Sequence, residues 1–86
     1  MHIIIQDHGD RCAIVATSIS SNTLFPLTIT AAALRDGLRT ILASAATKEL
    51  AVGPASLVRT AEGIDVTRNA GRFAIPYAHA FPLVLA

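Results

Sequence analysis

One stretch of this chain, Ala31 to Ala46, carries apolar side chains at helical spacing, and short β-branched runs broken by glycine-bearing turns lie on either side of it. Leu34, Leu38, Ile41, Leu42 and Ala45 recur at intervals of three and four, while Arg35, Asp36, Arg39 and Thr40 fall off that stripe. The pattern predicts one amphipathic helix. Thr28 or Thr30 can cap it, because a side-chain oxygen there accepts from a free amide of the first turn. Gly37 costs about 1 kcal/mol against alanine in a helix interior, so its presence points to a close approach by a neighbouring element. Gly53-Pro54 closes the helical region.

Before the helix, His2 to Gln6 and Arg11 to Ile19 flank Asp7-His8-Gly9-Asp10, a hairpin pattern. With His8-Gly9 as the loop, Ile5 faces Cys12, Ile3 faces Ile14 and Asp7 faces Asp10. One face is then apolar, completed by Ala16. The other mixes His2, Ile4 and Gln6 with Arg11, Ala13, Val15 and Thr17, which suits a contact surface. Leu24-Phe25-Pro26-Leu27 reads as an apolar linker, since Pro26 has no amide hydrogen for a ladder.

After the helix, Leu57 to Thr60 and Ile64 to Thr67 flank Ala61-Glu62-Gly63. A three-residue loop there sets Val58 against Val66 and Arg59 against Asp65. The next turn, Asn69-Ala70-Gly71-Arg72, aligns Val66 with Ile75 and Ile64 with Tyr77. Pro76 marks a sheet edge or a strand end, and the apolar tail Phe81 to Ala86 reads as a last strand. The expectation is a single α+β domain over residues 1–86, order ββαβββ with the tail as an added strand, one helix packed on a mainly antiparallel sheet.

Composition turns that outline toward function. Apolar residues make up 52% of the chain and charged ones 15%, whereas a chain of this size buries only about 60–65% of its unfolded surface. Apolar side chains left outside mark a contact face. A net charge of +1 excludes bulk attraction to nucleic acid or anionic membrane. Phe73 to Ala86 is interrupted by Pro76, Tyr77, His79 and Pro82 and is shorter than the roughly 20 residues of a spanning helix. The lone Cys12 and the absence of a secretory pattern at Met1 to Asp7 predict a cytoplasmic protein. Richness in Ala, Arg, Leu and Thr with a single Lys resembles products of GC-rich bacterial or phage genomes.

Few residues suggest chemistry. His8 and Cys12, with Asp7 and Asp10 nearby, are the raw material of a thiol nucleophile or metal site, yet the hairpin sends Cys12 to the core and His8 to the loop tip. His2, His8 and His79 show no ligand spacing. Glu49 and Glu62 sit at a helix end and a turn with no convergent partner. The reading is therefore no catalytic residue, no metal, no cofactor and no enzyme. What remains is an interaction protein, an adaptor, inhibitor or regulator, that dimerises or docks on a larger protein through Ile4, Ala13, Val15, Phe81, Leu83 and Leu85. The alternative is a dimeric nucleic-acid-binding regulator gripping phosphates with Arg59, Arg68 and Arg72 on a β-hairpin, beside Asn69, Phe73 and Tyr77. A solvated basic turn accounts for the same arginines.

Overall fold

The structure, a computed structural model, describes residues 1–85. Three strands come first: β1 (His2–Asp7), β2 (Cys12–Thr17) and β3 (Asn22–Leu27). Helix α1 (Ala31–Ala43) follows, then β4 (Glu49–Val52), β5 (Ala55–Arg59), β6 (Gly63–Arg68), β7 (Gly71–Pro76) and a closing helix α2 (Tyr77–Leu85). Strands pair with their chain neighbours in two antiparallel sheets, β1-β2-β3 and β4-β5-β6-β7. The class is α+β as expected, but the order is βββαββββα, with two helices instead of one and two sheets.

The first hairpin keeps its predicted faces and shifts its register. Gly9-Asp10 is the loop, closed by the His8 amide donating to the Arg11 carbonyl at 2.9 Å. Gly9 stands at φ 87°, a backbone conformation that L side chains rarely adopt. Ile5 therefore pairs with Ile14, Ile3 with Ala16, and Asp7 with Cys12 instead of Asp10. A two-residue shift leaves each side chain on its own face. The β6–β7 hairpin shifts by two in the same way, pairing Val66 with Phe73 and Ile64 with Ile75.

The β5–β6 hairpin slips by one residue, and there the faces exchange. Its loop is Ala61-Glu62, closed by the Thr60 amide on the Gly63 carbonyl at 2.8 Å. Leu57 opposes Val66 and takes the core position, while Val58 opposes Asp65 and turns outward. Gly63 is needed for clearance: a Cβ there would land inside the carbonyl of Ile75.

Three further expectations are corrected. Leu24 to Leu27 belongs to β3, an edge strand paired only with β2, where Pro26 can keep its nitrogen on the unpaired side. Helix α1 stops at Ala43, and Gly53-Pro54 forms the β4–β5 loop with Gly53 at φ 59°. The tail is helical where a strand was expected: α2 buries Ala80 and Leu83, three apart on one face, against the core. That burial offsets the amide bond lost at Pro82 within the helix. Ala86, the end of the expected strand, lies outside the described residues.

One cluster joins both sheets and both helices. Ile3, Ile5, Ile14, Phe25 and Leu27 meet Leu57, Ile64, Val66 and Ile75, with Leu34, Leu38 and Ile41 from α1. Helix α1 lies on β4 and β5; α2 lies against α1, β1, β6 and β7. Thr30 caps α1, its hydroxyl accepting from the Ala33 amide at 3.1 Å. A Cβ on Gly37 would sit 2.6 Å from Val52 Cγ2, the close helix-on-sheet approach its presence implied.

Candidate interaction surface

The alternation of β1, β2 and β3 that turns Ile3, Ile5, Ile14, Phe25 and Leu27 inward sends nine other side chains outward in three cross-strand rows. His2, Thr17 and Asn22 form the first, Ile4, Val15 and Leu24 the second, and Gln6, Ala13 and Pro26 the third. None is an Asp, Glu, Lys or Arg. The apolar row runs across the middle, with Ile4 40% and Leu24 61% exposed. Ile19, at the β2–β3 turn, is fully exposed at one end. The face measures about 15 by 20 Å at normal strand rise and spacing.

The six residues expected to form an interface are not gathered into one surface. Ile4 and Val15 share the outer face as expected. Ala13 lies in the same face but is buried, and Leu83 is buried in the core, so neither presents a side chain to a partner. Phe81 and Leu85 are exposed on α2, the helix whose Ala80 and Leu83 pack inward. Phe81 leans toward the Tyr77 ring, with centroids 6.3 Å apart. Sequence reasoning missed Leu24 because Pro26 argued against a strand. The signal was present in the alternation Leu24-Phe25-Pro26-Leu27, which puts Phe25 and Leu27 on one face and Leu24 on the other.

The three arginines are dispersed as well. Arg59 donates to the carbonyls of Ile41, of Ser44 at 2.9 Å and of Thr47 at 3.1 Å, and so closes the C-terminal end of α1. Arg68 shares the inward face of β6 with Ile64 and Val66, and its guanidinium lies 4.8 Å over the Phe25 ring. Arg72 projects from the opposite face, 3.7 Å from Asp65. Asp65 thus partners Arg72 and not Arg59.

Cys12 is buried, and burial pushes its thiol above the usual range, helped by the nearby Asp7 carboxylate and opposed by Arg35. His8 sits at the exposed loop, bonded to Gln6 at 3.0 Å. Among the described residues, no three His, Cys, Asp or Glu side chains cluster as metal ligands would, and no helix is long and apolar enough to cross a membrane.

Fold and surface together define a small α+β protein of two antiparallel sheets on one core, with one sheet face that carries no Asp, Glu, Lys or Arg and exposes Ile4 and Leu24. Comparison with protein-family models, curated proteins and solved structures finds no match.

Proposed function

We propose that this chain is a small protein-interaction module whose binding surface is the outer face of β1, β2 and β3, and whose first partner is a second copy of itself. The observation that carries the reading is the uncharged face with Ile4, Val15 and Leu24 in its central row. A two-fold axis through that row sets apolar side chains against apolar ones and strips water from no ionised group. The face is small beside the roughly 800 Å² per partner of a standard interface, so association is weak and concentration-dependent. The same surface serves a larger partner in an adaptor, inhibitor or regulator role, in the cytoplasm of a bacterial cell or of a phage host. The reading assigns no reaction and no cofactor to the chain.

Sedimentation from about 10 µM to 1 mM, the affinity range of small interfaces, tests it. The expected result is a rising mass that Leu24→Asp and Ile4→Asp each hold at monomer, with circular dichroism unchanged. A constant monomer mass over the whole range, or a dimer indifferent to both substitutions, would overturn it.

A further inference from the structure

Where the two sheets meet, Arg11, Thr28, Arg68 and Asn69 surround a cleft of about 200 Å³ over the buried side chains of Leu27 and Ala55. Two of its lining residues are cationic and none is acidic. Arg68 is held in place from two directions: its guanidinium stacks on Phe25, and its Nε donates to the Pro26 carbonyl. Its two terminal nitrogens have no hydrogen-bond or carboxylate partner among the described residues. Among the described residues, the one carboxylate partner of Arg11 is the exposed Asp10, at 3.9 Å, a contact of the kind that contributes almost nothing in water.

A guanidinium fixed in orientation and lacking a counter-ion is a preformed fork for a planar or tetrahedral oxyanion, because little side-chain freedom is lost on binding. The second arginine adds charge from another wall, and the apolar floor gives the ligand a body to bury. The cleft is smaller than the roughly 300–1,000 Å³ of sites for drug-sized molecules, which limits that body to a few carbons.

We propose that this cleft binds a small organic oxyanion, a carboxylate or a phosphate monoester, gripped by Arg68 and Arg11 with its short apolar body on Leu27 and Ala55. The site is separate from the uncharged sheet face, and it stands whether or not the chain self-associates. The test is an amide chemical-shift titration of the intact protein with inorganic phosphate and, in a second arm, butyrate, at ionic strength held constant with sodium chloride. Saturable shifts at Thr28, Arg68 and Asn69 are expected in at least one arm, and the arm that saturates identifies the head group. Arg68→Gln should weaken binding about tenfold or more, as loss of a charged hydrogen-bond pair does, and Arg11→Gln several-fold. Shifts that never saturate, or that chloride alone reproduces, would overturn the proposal. Should Arg68→Gln disturb the Phe25 packing, Arg11→Gln decides, since Arg11 is exposed: undiminished affinity in that variant defeats the assignment. A short single-stranded oligonucleotide that shifts Arg72 and the outer face of β6 and β7 more strongly than either small anion would also defeat it, in favour of a nucleic-acid backbone.

Discussion

The two sheets solve the same burial problem with opposite exteriors. Each lays one face on the common core. The outer face of β4 to β7 carries Glu49, Asp65 and Arg72 among Ser56, Thr67, Val58 and two alanines, with Asp65 and Arg72 paired across it. Such a surface is at ease in water. The outer face of β1 to β3 holds no ionised carboxylate, ammonium or guanidinium and leaves Ile4 and Leu24 exposed. Burying the first face would strip charges of water, at a cost of several kcal/mol per ion, whereas burying the second removes only apolar and neutral polar surface. The contrast teaches that the chain's apolar surplus is not spread evenly: its exposed β-sheet share is concentrated on one side.

Several measurements can break or sharpen that contrast. The largest effect is expected from neighbours on β2 that face opposite ways. Ile14→Ala, at a fully buried site, should lose about 2–5 kcal/mol in urea unfolding, and Val15→Ala, on the outer face, about 1 kcal/mol or less. Equal losses would mean that the outer face is covered after all. Next comes Gly63→Ala, expected to cost about 1–3 kcal/mol or more by overpacking, because the colliding group is backbone carbonyl and cannot swing aside. A smaller effect separates two arginines of the second sheet. Arg59→Met should cost about 1–3 kcal/mol by freeing the carbonyls of Ile41, Ser44 and Thr47. Arg72→Met, breaking an exposed pair, should cost about 0–1 kcal/mol; thermal melts of both variants make the check.

The smallest expected effect is a pH slope. Burial raises the Cys12 thiol, so the native state keeps that proton to higher pH than the unfolded chain does. The associated stability is fully present below the ordinary thiol range, near about pH 8.5, and is lost as pH rises through the higher folded value. Measured between about pH 8 and 10 and referred to pH 7, wild type should lose more stability than Cys12→Ala. Parallel curves would show that the thiol is as easily ionised in the fold as outside it.

Much of the fold was legible from local pattern. The α1 stripe from Leu34 to Leu42, a cap at one of two threonines, the reason for Gly37 and the inward set Ile3, Ile5, Cys12 and Ile14 all follow from periodicity and sterics within a few residues, whereas Ala45, read as part of the stripe, falls beyond the helix and is exposed. Turn registers were less legible, because Gly9, Gly63 and Asn69 mark that a turn exists without saying which two residues form the loop. At Gly63 that ambiguity mattered most: a one-residue slip exchanged Leu57 with Val58. The candidate surface was half legible. Ile4 and Val15 followed from hairpin alternation, but Leu24 depended on Pro26 sitting on an edge strand. Whether a strand is central or at an edge is a property of the assembled sheet.

Spacing along the chain determined that this protein would be a mixed α+β fold with one strongly amphipathic helix and consecutive hairpins, since those elements depend on side-chain period and turn chemistry over a few residues. The tertiary structure alone decided that the strands part into two sheets, that the C-terminal run coils into α2, and that Arg59, Arg68 and Arg72 point to three different places. Each of those outcomes turns on which distant surface a segment finds to bury against, and local sequence carries no record of that surface.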